Sequence, residues 1–513
     1  MPARVAFAFV LLFVGWGLLA PGSLERVADA AFAFTTRGFS WLYLWIVFGV
    51  VVASLGIAFS RYGRLRLGDD DEEPAFSRRS WFAMLFAAGM GIGLVFWGVA
   101  EPLSHYAIPP PGILPGTPEA ANAAMLHAFF HWGLHPWAVY SIVALAIAYF
   151  QFRRKLPITI SATLSGLSRH RRSGWLAAAD VLAILATAFG VATSLGLGAL
   201  QINSGLAEVA GVPVGTGSQV VIIVVTTALF LASAMSGLER GIKWLSNLNL
   251  LLGAAIAGFV LLAGPTAIIL DTFTSTLGRY LSGLIQMSLR LTPFRDDAWV
   301  HNWTVFYWAW WISWSPFVGL FIARVSRGRT IREFVIGTLL LPSLACFLWF
   351  SVFGGAALYA EIFEGAPLAE AAAADVSMAL FALFETLPAS TLLSVGATLL
   401  VLVFFVTSGD SATFVLGILS EGGNPDPSLR IRFAWGVLVS LIAISLLLVG
   451  GLNAIQTAAI VMALPFAIVI ALMVVSLLRA LREEGAQLDR EERVLRRLIR
   501  RTKRAEKSRE KAV

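Results

Sequence analysis

The chain carries little charge for its length. Only 13% of its 513 residues are Asp, Glu, Lys or Arg, whereas average soluble domains carry about 25%. Hydrophobic residues make up 58% of the chain, and the mean hydropathy is +0.78. This composition excludes a soluble enzyme with a single membrane anchor and predicts a polytopic membrane protein.

Cysteine and the common catalytic motifs are also scarce. Cys346 is the only cysteine, which excludes an intrachain disulfide. No nucleotide-binding loop, metalloprotease motif or nucleophile elbow occurs in the sequence, and Gly196 and Gly198 lie in an apolar run that follows no strand. We therefore predict neither an enzyme nor an organic cofactor.

The positive charge is concentrated at the C-terminus. The formal net charge is +7, and residues 479–513 hold 13 Lys or Arg against 7 Asp or Glu. This distribution argues against a nucleic-acid partner and favours anionic membrane lipid, which attracts such a segment by about 1 kcal/mol per cation. Leu481, Leu488 and Leu495 recur at seven-residue steps, which predicts a basic cytoplasmic tail helix with an apolar docking face or a weak coiled-coil seam.

Twelve apolar stretches approach the roughly 20 residues that a membrane span needs. Loops 61–79 and 153–172 are rich in Arg, whereas loops 101–123 and 206–217 contain no Lys or Arg, so the positive-inside rule places both termini in the cytoplasm. The acidic run 69–73 then lies in a cytoplasmic loop, and we expect it to be solvated. The predicted spans centre on residues 5–20, 41–60, 80–100, 124–150, 176–202, 218–237, 249–270, 302–323, 335–358, 388–408, 432–450 and 454–478.

The spans divide into two peripheral helices and two sets of five. An odd number of spans in each set gives the sets opposite orientations, as in an inverted repeat. We predict peripheral helices over 1–60, a first repeat over 80–271 and a second over 300–478, with an interfacial amphipathic helix over 272–299 between them. The first span is short and follows Arg4, so a signal peptide is the alternative to a retained helix.

Three glycines interrupt the third span. The segment AAGMGIG at 87–93 places Gly89, Gly91 and Gly93 within an apolar helix, where each lowers helix stability by about 1 kcal/mol relative to alanine. Close helix packing is one interpretation, but Gly91 points away from the face that the other two share. We predict an unwound segment near the bilayer midplane, whose freed backbone groups can bind an ion or a substrate.

Aromatic residues are concentrated in two spans. Residues 307–319 read YWAWWISWSPFVG, and Tyr307, Trp310, Trp311 and Trp314 share one helical arc of about 100°. Membrane tryptophans normally collect at the bilayer interfaces. A ring-lined face inside a span therefore indicates either an aromatic packing core or a cage for a cation without hydrogen-bond donors, such as a quaternary ammonium. The fourth span contributes a second cluster, Trp132, Trp137 and Tyr140.

Two further patterns concern ion ligands. His127, His131 and His135 stand four residues apart, but the first and last are about 12 Å apart along a helix, so we predict packing hydrogen bonds rather than a metal site. Thr407 and Ser408 offer hydroxyl oxygens to a hard cation such as sodium, although most such hydroxyls bond to a carbonyl one turn earlier.

Two acidic residues lie close to predicted span ends. Glu101 precedes Pro102 at the outer end of the third span. Two roles are open to it, lining an access path or capping local structure, and we favour the second. Asp410 follows the tenth span and is interpreted as a simple charge at a cytoplasmic helix end.

Three segments together resemble the betaine/carnitine/choline transporter (BCCT) family in order and spacing: FAAGMGIGLVFWGVAEPL at 86–103, HWGLHPWAVY at 131–140 and YWAWWISWSPFVGLFIARVSRGRTIREF at 307–334. The resemblance covers nearly the whole chain and is weakest in the tail. It implies an all-α polytopic membrane protein of twelve transmembrane helices, the last ten forming a five-plus-five inverted repeat with an unwound third helix. It also implies a homotrimer in the inner (plasma) membrane that transports a small zwitterionic or cationic solute with sodium.

The resemblance assigns roles to residues by motif position. The aromatic box would comprise Trp132, Trp137, Tyr140 and Trp311; the central site Phe306, Trp310 and Trp314; and the backbone contact Met90 with Gly89, Gly91 and Gly93. The principal sodium site would use carbonyls of Ala87, Met90 and Phe404 and the hydroxyls of Thr407 and Ser408. A second sodium site would use Thr187 and Phe317. One turn on from Thr187, Val191 has no hydroxyl, which leaves the second ion and the stoichiometry open.

The glycine stretch also bears on the substrate. Family members that carry a formally cationic substrate tend to have an acidic residue there, whereas Gly93 is neutral. We therefore predict sodium-coupled import of glycine betaine by alternating access, with the tail as an osmotic sensor or as an anchor. The alternatives are a sodium-independent exchanger of the carnitine type, an importer of choline, ectoine, proline or dimethylsulfoniopropionate, and a non-transporting receptor for quaternary amines.

Overall fold

The computed structural model describes residues 2–89, 91–167, 174–236, 239–294 and 298–510. Within these ranges the chain forms helices and loops and no strand, which confirms the predicted all-α class. The helices are α1 (Pro2–Leu19), α2 (Pro21–Phe59), α3 (Arg78–Gly89), α4 (Ile92–Ala107), α5 (Pro118–Trp132), α6 (Leu134–Ala148), α7 (Ile160–Thr163), α8 (Gly174–Ala210), α9 (Thr216–Ser236), α10 (Glu239–Ala263), α11 (Thr266–Ser288), α12 (Ala298–Val300), α13 (Phe306–Val325), α14 (Ile331–Tyr359), α15 (Leu368–Ala374), α16 (Ala379–Glu385), α17 (Ser390–Ser420) and α18 (Leu429–Glu510).

The number of membrane crossings agrees with the sequence. Ten helical segments of the described chain are long and apolar enough to span a bilayer. The last of them, in α18, holds two crossings, because Gly450 and Gly451 leave the helical conformation and divide it. The shorter α3 and α4 together form one more crossing. Twelve crossings result, and the basic tail continues the last of them as a helix.

The third crossing is interrupted at the glycine stretch, as predicted. α3 ends at Gly89 and α4 begins at Ile92, while Gly91 between them is extended, with φ −154° and ψ −174°. Met90 lies outside the described residues. The N–H of Leu94 donates to the carbonyl of Gly91 at 3.1 Å. The N–H groups of Ile92 and Gly93, in the first turn of α4, have no acceptor within their own helix, so the interruption leaves backbone donors at this depth.

The fourth crossing, predicted as one helix over 124–150, is two helices. Gly133 separates α5 from α6 with φ −87° and ψ −132°. Pro136 lacks an N–H and cannot bond to the carbonyl one turn before it, which explains why the helix breaks here. The N–H of Leu134 donates instead to the hydroxyl of Tyr280, at 3.0 Å.

The seventh crossing ends before the predicted limit of 249–270. α10 stops at Ala263, and Gly264 and Pro265 separate it from α11, because proline cannot continue the helical hydrogen bonding. The amphipathic helix predicted over 272–299 therefore begins at Thr266. It packs against α14 and α5, and Leu281 and Ile285 are exposed on its outer face.

The centre of the molecule is formed by α5, α6, α8 and α13. The most apolar window of the α5–α6 crossing is 94% buried, that of α8 89% and that of the α12–α13 crossing 83%, against 22% for α1 and for α10. The peripheral α1 still packs on the bundle, with Phe7 stacked on Trp435 and Phe13 edge-on to Phe189. The central helices are therefore shielded on all sides and can hold a polar or aromatic site.

The acidic run 69–73 is mostly exposed to solvent, as predicted, and it also forms ion pairs that the prediction did not include. Its carboxylates form ion pairs: Asp69 with Lys155 at 3.1 Å, Asp70 with Arg153 at 2.8 Å, and Glu72 with Arg327. On the same face Arg153 also pairs with Glu484 of α18, and Arg61 pairs with Asp489 at 2.8 Å. This loop thus connects the ends of several crossings to the tail.

Candidate functional site

A cavity lies beside the interruption between α3 and α4. It holds about 40 Å³ of space for the centre of a water molecule, and its walls are mostly aromatic, with five indoles and one phenol. The lining residues are Gly91, Ile92, Gly93, Leu94, Trp132, Pro136, Trp137, Tyr140, Ser194, Trp310, Trp311, Trp314 and Cys346. Five elements that are far apart in sequence, α4, α5–α6, α8, α13 and α14, therefore converge on one point.

Most of the predicted substrate residues meet at this cavity. The lining includes Trp132, Trp137, Tyr140, Trp310, Trp311, Trp314, Gly91 and Gly93. Phe306 is fully buried and stacks on Trp310 from behind, at 5.7 Å between ring centroids. Gly89 is the last residue of α3, and Met90 lies outside the described residues.

The indoles form a corner. Trp310 and Trp311 are stacked, with centroids 4.8 Å apart and planes at 14°. Trp132 stands across this pair, 4.8 Å from Trp311 at 71° and 6.1 Å from Trp310 at 86°. Such edge-to-face contacts stabilise a fixed ring arrangement, so the cavity presents ring surfaces in two directions.

Gly93 allows the indoles to approach α4. A Cβ atom at this position would lie 2.3 Å from Cη2 of Trp310 and 3.3 Å from Cη2 of Trp132. The first distance is a steric clash, so only glycine permits this packing. At Gly91, by contrast, no atom lies within 4 Å of the point where a Cβ would be. Packing therefore does not require glycine at this position, which connects α3 to α4.

The indole N–H groups are mostly directed away from the cavity. Three of them donate to fixed acceptors: Trp132 to Oε2 of Glu101 at 2.7 Å, Trp311 to the carbonyl of His131 at 3.0 Å, and Trp314 to the carbonyl of Gly190 at 2.7 Å. These bonds fix the ring orientations and leave π-electron surface as the main feature of the lining.

Two fully buried polar groups of the lining, the hydroxyl of Ser194 and the N–H of Trp310, have no hydrogen-bond partner among the described residues. No lining residue carries a formal charge. The cavity can thus receive a cation without hydrogen-bond donors on its rings, and an anionic group on the two free donors and the backbone of α4.

Sequence reasoning missed several lining residues. Ser194, Pro136 and Cys346 were not predicted. Ser194 had a weak signal, since it is a hydroxyl one turn after Gly190 within a mainly apolar stretch of the sequence. Cys346 had none, because its position depends on how α14 packs against α6.

Glu101 lies directly behind the cavity, and its predicted role as a local cap is wrong. It is fully buried within α4. Its carboxylate has four partners: Trp132 Nε1 at 2.7 Å and Tyr307 OH at 2.5 Å on Oε2, and His131 Nδ1 at 2.7 Å and His105 Nε2 at 3.2 Å on Oε1. It therefore joins α4, α5 and α13.

The histidine row makes packing hydrogen bonds, as predicted. Nδ1 of His127 bonds to the carbonyl of Ala123 at 2.8 Å, and Nε2 of His135 bonds to the hydroxyl of Ser288 at 2.8 Å. His131 bonds instead to Glu101. Because each histidine has a different partner, the three do not converge on one point.

The predicted sodium hydroxyls lie within α17. Thr407 and Ser408 are half-buried, one turn after the buried Phe404. Oγ1 of Thr407 donates to the carbonyl of Val403 at 2.9 Å, and Nδ2 of Asn249 approaches it at 3.4 Å. A hydroxyl that donates within its own helix keeps a lone pair for a cation, so these all-oxygen groups fit sodium chemically.

The structure describes only some of the remaining predicted ion ligands. Ala87 lies in the last turn of α3, and Met90 is outside the described residues. In the second predicted sodium site, Thr187 is buried and donates to the carbonyl of Ala183 at 2.7 Å. Phe317 packs edge-on against Trp314. The positions of these residues are compatible with both predicted sodium sites, and both sites stay predictions.

Asp410 is not a charge at a helix end, contrary to the prediction. α17 continues past it to Ser420, and its side chain is buried. It pairs with Arg432 of α18 at 3.1 Å and accepts a hydrogen bond from Ser233 at 2.8 Å. The pair connects α9, α17 and α18.

Comparison with known proteins gives consistent matches. The sequence model described as "BCCT, betaine/carnitine/choline family transporter" matches residues 3–486. The glycine betaine transporter OpuD of Bacillus subtilis (strain 168) is 48% identical over 96% of each chain. The ectoine/hydroxyectoine transporter of Virgibacillus pantothenticus is 47% identical over 96% of this chain and 98% of that protein. A solved Na⁺-coupled sialic acid symporter aligns with a TM-score of 0.49 and 15% identity, over 84% of this chain and 85% of that one.

Proposed function

Because the chain belongs to the betaine/carnitine/choline transporter family, we propose that this membrane transporter imports glycine betaine by sodium symport. The observation that carries the proposal is the ring-lined cavity at the interrupted third crossing. The family makes the protein a transporter, and the cavity limits what it can carry.

The lining favours a quaternary ammonium group over other cations. A trimethylammonium group has no N–H, so it needs no hydrogen-bond acceptor from the protein when it leaves water. Each desolvated ring contributes about 0.5–2 kcal/mol to such a cation. Trp132, Trp310 and Trp311 present ring surfaces in two directions, and Trp137, Tyr140 and Trp314 extend the wall.

The rest of the lining suits the carboxylate of a zwitterion. The hydroxyl of Ser194 and the N–H of Trp310 have no partner among the described residues, and the first N–H groups of α4 are free of helical acceptors. The absence of an acidic side chain at Gly93 favours a net neutral solute, since a cation such as choline would lack a counter-charge in the glycine stretch.

Ectoine is the second candidate, supported by the relative named as an ectoine/hydroxyectoine transporter. The ectoine ring is an amidinium with N–H donors. Indoles cannot accept hydrogen bonds, and the only hydroxyl oxygens among the described lining side chains are those of Ser194 and Tyr140, so the lining offers those donors few acceptors. This difference favours betaine.

We propose sodium as the coupling ion, bound by oxygen atoms of α17 and of the last turn of α3. Ion binding between Ala87, Phe404, Thr407 and Ser408 would hold the interrupted crossing against α17 and complete the substrate site. This coupling distinguishes a symporter from the sodium-independent exchanger.

Alternating access follows from the same arrangement. The cavity has room for only about three water-sized spheres, so the rings must separate to admit a trimethylammonium group. We propose that the repeats over 80–271 and 300–478 rock against each other around this site. Cytoplasmic termini, a homotrimer in the plasma membrane and binding of the basic tail to anionic lipid complete the proposal.

Uptake of labelled betaine into proteoliposomes tests the coupling. We expect accumulation when sodium is high outside and little uptake when potassium replaces sodium on both sides. Preloading the vesicles with unlabelled betaine is the control for exchange. Uptake that needs internal betaine and ignores the sodium gradient would establish the exchanger instead.

A competition panel tests the substrate. Unlabelled betaine, dimethylsulfoniopropionate, choline, proline and ectoine are each added to labelled betaine at saturating sodium. We expect betaine to compete best, followed by dimethylsulfoniopropionate, which is also a zwitterion with a methylated cationic centre. Stronger competition by ectoine than by betaine would replace the first candidate with the second.

A further inference from the structure

The carboxylate of Glu101 has no strongly basic partner. Its ion-pair partners among the described residues are only His105 and His131. All three side chains are buried, with no solvent exposure. A charge in this position influences the surrounding groups strongly, because the effective dielectric constant of a buried site is far lower than that of water.

The four partners of Glu101 fit an ionised carboxylate. An indole N–H can only donate, and an ionised carboxylate can only accept. Oε2 takes its two hydrogen bonds from Trp132 and Tyr307, and Oε1 takes its two from the imidazoles. Nδ1 of His105 has no partner among the described residues, as expected of a neutral imidazole that carries its hydrogen on Nε2.

Two of these partners contact the indoles of the cavity: Trp132 lines it, and Tyr307 is buried against the lining indoles Trp310 and Trp311. Trp132 reaches Glu101 with its N–H, while Cη2 at its opposite edge points to Gly93 at the cavity. Tyr307 stacks on Trp311 at 5.8 Å and on Trp310 at 6.3 Å. Donation of an N–H or O–H to a carboxylate pushes electron density into the donor's ring, so the ring attracts a cation more strongly.

A third connection runs through the backbone. Nδ1 of His131 is hydrogen-bonded to Oε1 of Glu101 at 2.7 Å, and the carbonyl of His131 accepts the N–H of Trp311 at 3.0 Å. One carboxylate therefore holds Trp132 directly and Trp311 through His131. These indoles are the perpendicular pair that forms the corner of the cavity.

We propose that Glu101 is the positioning residue of the aromatic cage and the source of its negative potential, so that it selects a positively charged head group over an uncharged one of equal shape. The inference rests on the proposed function, since it needs the cage to bind an ammonium. The substrate never touches Glu101, whose charge acts through Trp132 and Tyr307.

A metal site is the competing interpretation of the same residues. The ligand atoms of Glu101, His105 and His131 lie within 4.8 Å of one another, and a carboxylate with two imidazoles is a zinc ligand set. Both imidazole nitrogens, however, bond to the same oxygen, Oε1. The hydrogen bonds thus already satisfy the atoms that a metal would use.

The test compares two ligands of the same shape. Glycine betaine carries a trimethylammonium group, and 3,3-dimethylbutanoate replaces its nitrogen with carbon. Dissociation constants for both are measured by tryptophan fluorescence at saturating sodium, for the wild-type protein, Glu101→Gln and Glu101→Asp, first without EDTA and then with it. Monodisperse elution and an unchanged melting temperature are required of each variant.

We expect the wild type to prefer betaine and Glu101→Gln to lose about tenfold of that preference, or about 1.4 kcal/mol. Glu101→Asp should weaken the binding of both ligands and leave the ratio of their dissociation constants unchanged, since it moves the charge without removing it. Equal weakening of both ligands by Glu101→Gln, or no change, overturns the inference. Loss of the wild-type preference on adding EDTA also overturns it, in favour of the metal.

A failed premise is distinguishable from a failed inference. If the wild type binds the two ligands equally, the cage itself is refuted and the inference with it. If Glu101→Gln does not fold, Trp132→Phe is compared with Trp137→Phe, because both lose an indole of the lining but only Trp132 reaches Glu101. Equal loss of preference in those two variants then overturns the inference.

Discussion

The aromatic cavity and the proposed sodium region are constructed in opposite ways. The cavity depends on bonds between helices: Trp132 is held by α4, Trp311 by the end of α5 and Trp314 by α8. The hydroxyl of Thr407, by contrast, donates to its own helix. The comparison teaches that bonds between helices fix the rings of the cavity, whereas the hydroxyl of Thr407 is oriented mainly by its own helix.

The largest effect is expected at Gly93, where shape alone is altered. Gly93→Ala places a Cβ where Cη2 of Trp310 lies only 2.3 Å away. Overpacking of this kind costs about 1–3 kcal/mol, and the displaced rings no longer meet, so betaine affinity should fall by about 100-fold. Gly49→Ala, with no atom within 4 Å of its Cβ, is the control, and uptake is measured for both. Normal uptake by Gly93→Ala would show that the cavity is not shaped in advance.

A smaller loss is expected when one ring is removed. Trp314→Leu keeps an apolar side chain in the lining but deletes a π surface worth up to about 2 kcal/mol, so betaine affinity should fall by about 30-fold. Trp314→Phe loses the bond to Gly190 but keeps a ring and should lose less. Binding is measured at saturating sodium. Equal affinities for wild type and Trp314→Leu would mean that Trp314 only packs.

A substitution in the proposed sodium site should change the sodium dependence of uptake. Thr407→Val removes one hydroxyl, a ligand that we value at about 1.4 kcal/mol, and should raise the sodium concentration for half-maximal uptake by about tenfold. Thr398→Val is the matched control, since Thr398 makes the same bond to a carbonyl of α17, at 2.7 Å. A similar rise for both variants would assign the effect to lost helical bonding rather than to an ion.

The smallest effect is expected at the tail. Arg61 and Asp489 form an ion pair on the surface, which raises the pKa of the Arg61 guanidinium. Surface pairs contribute little, so Arg61→Ala should change the melting temperature by less than about 2 °C. Glu484→Gln breaks the more buried pair with Arg153 and should lower it more. The reverse order would contradict the burial argument.

Truncation after Ala480 then tests the regulatory role. If the tail senses osmotic stress, the truncated protein loses the dependence of uptake on external osmolality while keeping basal uptake. An unchanged dependence would leave the tail as an anchor that binds anionic lipid.

The sequence by itself determined the features that repeat along one helix. Hydropathy predicts the crossings, the glycines of 87–93 predict the interruption, and the arc of Tyr307, Trp310, Trp311 and Trp314 predicts a ring-lined face. These are local properties, because helix geometry alone fixes which neighbouring residues share a face. The family resemblance also lies in short contiguous motifs and could be read without a fold.

Only the tertiary structure decided which distant groups meet. Glu101 was misread as a cap because its partners stand on α4, α5 and α13, and Asp410 as an end charge because Arg432 lies on another helix. The ion pairs of the acidic run were missed for the same reason. A buried charge is stable only with partners, and in this bundle those partners come from other helices, whose crossing no local pattern specifies.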